Sequence, residues 1–293
     1  MPALLILLVG FGSLAAQLWV VPSEVDKKEW KKPADWVKKQ LEPSDAVRVH
    51  PAWTEDPLPY LEDVGSQVHR HQDPVESDLE EIRRVWILTE TERLEGALAK
   101  LPFEPSRPDL KRFGDVTVIK AIVPSSVRSS YELLEHLEGA KVERIEKKSV
   151  QHCDKWDEKD RRWDCGERDR WLYVGEHEQI VAGDPRRCIW AHPLPKQKVL
   201  RITFPGVPLE ETLRVRAGLS FKGARFKRGT PVRMQVRVGG ERRYDHQYGP
   251  RTSTWGKYDI DTTASAGSKK PVVFEISSDK IRRRWFCFNA WVR

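Results

Sequence analysis

The chain has 293 residues, of which 39% are hydrophobic and 32% charged, and this length and balance exclude a disordered chain and fit two globular domains. The formal net charge of +7 is unevenly placed: residues 151–293 carry 30 Lys/Arg against 18 Asp/Glu, whereas residues 1–150 carry 21 against 26. All four cysteines (Cys153, Cys165, Cys188 and Cys287) lie in the basic half.

The segment Pro2 to Val21 has no charged side chain and has the roughly 20-residue length of a bilayer-spanning helix. It reads as a membrane anchor or a signal segment over residues 1–22. No Lys or Arg precedes it, which favours an uncleaved anchor, although Ser13-Leu14-Ala15 is a passable cleavage site. Lys27, Lys28, Lys31 and Lys32 would hold the following side in the cytoplasm, whereas cysteines without a paired CxxC spacing point to disulfides and hence to the outside. The expectation is an extracytoplasmic protein, on the periplasmic side of a bacterial inner membrane.

Residues 23–148 alternate helical and strand patterns. Pro33 to Leu41 places Trp36, Val37 and Leu41 on one helical face. Apolar runs at 46–50, 84–89 and 115–123 read as strands, and 91–100 and 129–137 as helices. Strands separated by helices predict a small α/β domain with a largely parallel sheet.

The order Ala34-Asp35-Trp36, Asp45-Ala46-Val47-Arg48-Val49, Pro51-Ala52-Trp53, Arg84-Val85-Trp86-Ile87-Leu88 and Phe113-Gly114-Asp115-Val116 resembles the soluble C-terminal domain of multi-span dolichyl-phosphate-mannose-type protein glycosyltransferases. The resemblance covers roughly residues 20–123. It implies a domain that follows a membrane helix outside the cytoplasm. That family's catalytic acids sit in a loop among its membrane helices, which this chain does not contain, so no catalytic residue carries over.

Beyond Lys148 the texture changes to short alternating runs with Gly and Pro punctuation, at 171–175, 187–193, 199–204, 212–221, 231–240, 255–260, 271–276 and 284–292. Eight strands at this spacing predict an antiparallel β-sandwich over residues 149–293. Met234, Val236 and Val238 alternate with Arg233, Gln235 and Arg237, giving one buried and one basic face. The strand rhythm from Leu213 to Phe288 is similar to that of galactose-binding-like jelly rolls. The whole is an α+β two-domain chain. Of the three possible disulfide pairings, Cys153 with Cys165 and Cys188 with Cys287 are favoured, by closeness in sequence and by the adjacency of first and last strands.

His69, His71 and Asp73 read as a solvated loop, and His152, Cys153, Asp154 and Cys165 lack zinc spacing, so neither a metal nor a cofactor is expected. His192 with His246, or Asp259 with Asp261, would be the acid/base groups of a glycan-acting hydrolase or transferase, but no catalytic motif accompanies them. Seven of the twelve tryptophans lie in the basic domain beside arginine runs. Flat rings and guanidinium forks suit sugars bearing oxyanions. The expectation is a non-enzymatic binding protein whose sandwich engages an anionic glycan or cell-envelope polymer through Trp255, Arg242, Arg243, Tyr244, His246 and Tyr248. An alternative is a structural or assembly partner of a membrane glycosyltransferase or other envelope complex. Nucleic acid is not expected, since no motif for it appears.

Overall fold

The computed structural model describes residues 25–293 apart from 81, 148, 166–170, 195–197, 227 and 252. The apolar segment 2–21 lies outside the described residues, among which no helix is long and apolar enough to cross a membrane. The chain forms two compact units. Among the described residues, one comprises 25–75 with 82–124, and the other Glu76–Glu80 with Ser125–Arg293.

The first unit holds helix α1 (Lys31–Lys38), strands β1 (Asp45–His50) and β2 (Arg84–Glu90), helix α2 (Leu94–Ala99), and strands β3 (Asp109–Phe113) and β4 (Val116–Ile122). Trp30, Ala34 and Val37 recur at helical spacing and are all buried against the sheet, where Trp36 meets Trp86 edge-on at 5.6 Å. Asp45 is the buried polar anchor of this core. Its carboxylate accepts from Trp86 Nε1 at 2.9 Å, from Arg84 Nε and Nη2 at 2.8 and 2.7 Å, and from the Glu42 amide at 3.1 Å.

The sheet order is β1-β2-β4-β3, with β1 parallel to β2 and the other two pairs antiparallel. The expected largely parallel sheet is thus corrected to a mixed sheet with one parallel pair. The difference comes from β3, whose exposed Asp-Leu-Lys-Arg-Phe run has no alternation to mark it as a strand. It forms a hairpin with β4 through Gly114 at φ 62°, and that hairpin reverses β4.

The second unit contains β5 (Tyr131–Glu132), β6 (Lys141–Glu146), β7 (Ser149–His152), β8 (Lys155–Asp157), β9 (Arg162–Asp164), β10 (Tyr173–Val181), β11 (Asp184–Ala191), β12 (Val199–Pro208), β13 (Thr212–Leu219), the helical turn α3 (Phe221–Ala224), β14 (Val232–Val238), β15 (Glu241–Tyr248), β16 (Gly256–Asp261), β17 (Lys269–Ser277) and β18 (Phe286–Val292). One sheet runs β16-β13-β18-β11-β10-β9-β8, with β5 also on β18, and the other runs β15-β14-β17-β12-β6-β7. Every pairing in both is antiparallel, as a β-sandwich requires. Val215, Ala217, Phe286 and Phe288 of the first sheet belong to one buried cluster with Met234, Val236, Phe274 and Ile202 of the second. The boundary expected after residue 148 falls instead at 124/125, because β6 hydrogen-bonds along β12 and is a strand of the sandwich. The helix expected at 129–137 is present as a 3-10 helix, Leu133–Gly139, kinked at His136, which buries Leu133, Leu134 and Leu137.

Both expected disulfides are present, Cys153–Cys165 and Cys188–Cys287, with sequence separations of 12 and 99 residues. The stabilisation of a cross-link rises with the loop it closes in the unfolded chain: about 3 kcal/mol for the short loop and between about 4 and 5 kcal/mol for the long one. Chemical denaturation of Cys153→Ser/Cys165→Ser and Cys188→Ser/Cys287→Ser proteins should therefore show the larger loss in the second. The reverse order would contradict this assignment of the two bridges.

Candidate functional site

The β10–β11 hairpin turns through Ala182 and Gly183, both at positive φ, and its register sets Gly175 against Trp190 and His177 against Cys188. Cross-strand partners share a face, so Tyr173, His177, Cys188 and Trp190 all face away from the sandwich core, to which Val174, Ile189 and Ala191 point. Glycine at 175 is a requirement of close approach, since a Cβ there would lie 2.3 Å from the Cβ of Arg162 on β9. The outward rings form a connected group. Tyr173 stacks on Trp190 at 6.1 Å, His177 lies 5.2 Å from Trp190, and the Tyr173 hydroxyl is 3.1 Å from His177 Nδ1. Trp190 donates its indole N–H to the Trp171 carbonyl at 2.9 Å.

These residues form one wall and the floor of a cavity of about 640 Å³. The opposite wall is Trp285 with the start of α3, where Ser220 caps Gly223 at 3.1 Å and is followed by Phe221 and Lys222. Arg284 holds that wall. Fully buried, its guanidinium donates to the carbonyls of Gly223 (2.7 Å), Phe226 (3.3 Å) and Thr230 (3.3 Å), and burial lowers its pKa. Trp190 is 5% exposed at the floor, whereas Trp171 and Phe221 are 37% and 44% exposed at the rim. Glu178 and Lys222 are the charged side chains in the lining. Beside this wall, Arg225 lies over Phe221 at 5.1 Å, and Arg282 and Arg283 lie over Phe226 at 5.6 and 5.4 Å. An open, apolar, ring-lined cavity with a few polar groups and a cationic flank is suited to holding a small flat or ring-shaped ligand.

The residues expected from the sequence to bind ligand lie elsewhere. Tyr244, His246 and Tyr248 on β15 stand opposite Val236, Met234 and Val232, so they point toward the core side. There they meet Tyr258 of the other sheet at 4.6, 5.2 and 6.3 Å and close the sandwich edge. Burial pushes the phenols of Tyr244 and Tyr248 far up, reinforced at Tyr244 by its hydroxyl contact with Tyr248. Trp255 is buried and has no face to offer a sugar, its carbonyl lying 3.4 Å from Arg216. Arg242 and Arg243 are exposed but paired, with Asp245 at 3.7 Å and Glu241 at 2.9 Å. None of the six lines the aromatic cavity. Of the basic domain's tryptophans, Trp171, Trp190 and Trp285 do; the alternating Tyr173, His177 and Trp190 could have been read from the two-residue strand period.

The two histidine candidates lie on different elements, and Asp259 and Asp261 share one face of β16, each held by a partner of its own. His192 follows β11 and is buried, while His246 is on β15 of the other sheet. Asp259 is held by Arg214 at 2.6 and 2.8 Å and Asp261 by the Thr263 amide at 2.9 Å, and both carboxyls lie below their usual range: at Asp259 the arginine outweighs burial, and at Asp261 Thr263 is the main cause. Cys153 and Cys165 are bonded to each other, and no cluster of His, Cys, Asp or Glu among the described residues could hold a metal.

No family model matches the chain, and no curated protein matches it. The resemblance of residues 20–123 to a glycosyltransferase domain gains no support from either comparison. Among solved structures, a CBM51 module of a Clostridium perfringens GH95 protein in complex with methyl-galactose is 12% identical, covering 40% of this chain and 81% of its own, with a TM-score of 0.29. CBM51-2 with the INT domains of Clostridium perfringens ZmpB, in complex with GlcNAc, is 11% identical over 64% of this chain and 41% of that one, with a TM-score of 0.33. A CBM36 module in complex with calcium and xylotriose is 13% identical, covering 40% and 87%, with a TM-score of 0.23. All three scores are below 0.5, and what those modules bind is not carried to this chain.

His192 ties the cavity to pH. Its ring is 4.3 Å from Trp171 and 6.0 Å from Trp190, and Nδ1 donates to the Pro193 carbonyl at 2.8 Å. Burial is the main reason its pKa falls from 6.5 to about 4, with the Arg284 charge adding to it against the Pro193 hydrogen bond. A folded pKa below the unfolded one means that the unfolded chain takes up the proton first. Stability is therefore full above about pH 6.5 and falls, by about 3 kcal/mol in all, as the pH drops toward 4. Denaturation midpoints measured across this window should slope more steeply in the native protein than in His192→Phe, where His50 and His177, also lowered by burial, leave a smaller slope. An equal slope in both would remove His192 as the cause.

Proposed function

We propose that the sandwich unit is a non-enzymatic carbohydrate-binding module whose aromatic cavity takes a sugar ring from an acidic glycan or cell-envelope polymer. The observation that carries this reading is the cavity between Trp171, Tyr173 and Trp190 on one side and Phe221 and Trp285 on the other. Flat aromatic faces pack well on the apolar faces of a pyranose, and few polar groups are needed to orient it. The acidic preference rests on the flank. Among the described residues, Lys222, Arg225, Arg282 and Arg283 form no ion pair with a carboxylate, while most other arginines of the sandwich do. A binding role fits the lining, in which Glu178 is the one carboxylate among the described residues, since glycoside hydrolysis by the usual route needs two. Two disulfides support a place outside the cytoplasm, where the uncharged segment 2–21 would tether the chain to a membrane.

Affinity electrophoresis of the full chain in gels containing alginate or polygalacturonate, with dextran as the neutral control, tests this directly. Retardation by the acidic polymers should weaken at least about tenfold in Trp171→Ala/Trp285→Ala, the loss expected when stacked rings are removed. Lys222→Ala/Arg225→Ala should lower the acidic-polymer affinity and reduce its salt dependence. Retardation unchanged in both double variants would refute the assignment.

A further inference from the structure

The parallel pair in the first unit ends at a second cavity, of about 340 Å³, lined by Trp30, Trp53, Thr54, Glu55, Asp56, Glu90 and Arg93. β1 and β2 run side by side to His50 and Glu90, in a register that sets His50 against Thr89, and the chain leaving each strand supplies the lining. This is where open α/β sheets place their ligands, because the loops leaving the carboxyl ends of parallel strands diverge and leave a crevice.

Two aromatic residues define the lining. Trp30, 1% exposed as a residue, lines the cavity, and its indole N–H makes no hydrogen bond among the described residues. Trp53, in contrast, is 70% exposed, the most exposed of the large hydrophobic residues described, and presents a flat ring at the cavity. The charged groups are arranged unevenly. Arg93 donates to Glu90 at 2.7 Å and Lys27 pairs with Asp56 at 3.2 Å, while the Glu55 carboxylate has no ion pair among the described residues. Three carboxylates against two cations disfavour an anionic ligand, so a nucleotide or uronate is a poor fit. Hydroxyl groups satisfy the lining on both counts, accepting from the Trp30 N–H and donating to Glu55 or Glu90.

We infer that this cavity binds a single neutral pyranose ring, stacked on Trp53, at a site separate from the aromatic cavity of the sandwich and of opposite charge preference. The volume is at the small end for ligand sites, as one ring requires. The inference stands on the first unit alone and does not depend on the acidic-glycan reading.

Saturation-transfer NMR on the full chain with methyl α-glucoside, methyl α-galactoside and methyl α-mannoside, and with glucuronate for comparison, tests it. At least one neutral glycoside should show transfer in the native protein and in Trp171→Ala, lose it or weaken at least about tenfold in Trp53→Ala, and recover in part in Trp53→Phe, which keeps a flat ring. Trp53 is exposed, so its loss leaves the core intact. No transfer to any neutral glycoside at tens of millimolar, equal transfer in Trp53→Ala, or transfer to glucuronate alone through Trp53 would each overturn the proposal.

Discussion

The aromatic cavity depends on one short seam. β11 and β18 pair through only two register positions, Ile189 with Phe288 and Trp190 with Cys287, and that ladder is what joins the β16-β13-β18 half of the sheet to the β11-β10-β9-β8 half. One wall of the cavity belongs to each half. Trp190 and Tyr173 are on the far side, while Trp285 precedes β18 and α3 follows β13. Two backbone pairs would leave such a joint easy to open locally, because few hydrogen bonds resist it. The Cys188–Cys287 bridge crosses that seam, beside the paired Trp190, and fixes the spacing between the walls covalently.

A second clamp crosses the same joint by electrostatics. Glu76, almost fully buried, receives Arg214 at 2.9 Å and Arg216 at 2.5 Å from β13 together with Lys257 at 3.1 Å, while Asp78 two residues later receives Arg186 of β11 at 2.7 Å. Burial alone would raise the Glu76 carboxyl, but the Arg216 and Arg214 charges prevail and hold it at about 2. It therefore stays ionised throughout the range in which such a protein works. Ion pairs of this kind contribute little net stability once desolvation is counted, yet removing one partner leaves a buried charge uncompensated. Their effect is to specify which strands lie under the Glu76–Glu80 segment.

How much of this was legible in the sequence follows from what each signal encodes. The sandwich strands showed through because Met234, Val236 and Val238 alternate with polar neighbours, a pattern that burial of one face imposes. The disulfides followed from cysteine spacing and from the adjacency of terminal strands. β3 was missed because an exposed edge strand buries neither face and so carries no period. The aromatic cavity was not legible for a related reason. Tyr244, His246, Tyr248 and Trp255 are aromatic and near arginines, but composition does not say which way a strand's alternate residues face; the register opposite Val236, Met234 and Val232 does. Nor does sequence show that residues 173–190 and 221–285 meet across a sheet, since that contact is made by strand order.

Charge placement carries the last step. The sandwich's surplus of cations is not an even coat, because wherever a carboxylate is within reach it is taken: Arg233 by Asp245, Arg201 by Glu275, Arg187 by Glu176 and Glu135. Those pairs are partly exposed and add little to stability, but they cancel field. Among the cations without an ion pair in the described residues are Lys222, Arg225, Arg282 and Arg283 at α3 and the turn before Trp285, where the three arginines lie over aromatic rings. Part of the net charge read from composition is thereby placed beside the wall of the cavity. In the first unit the balance is reversed, with Glu55, Asp56 and Glu90 around Trp53. The two ring-lined cavities thus differ in the sign of the charge nearest to them.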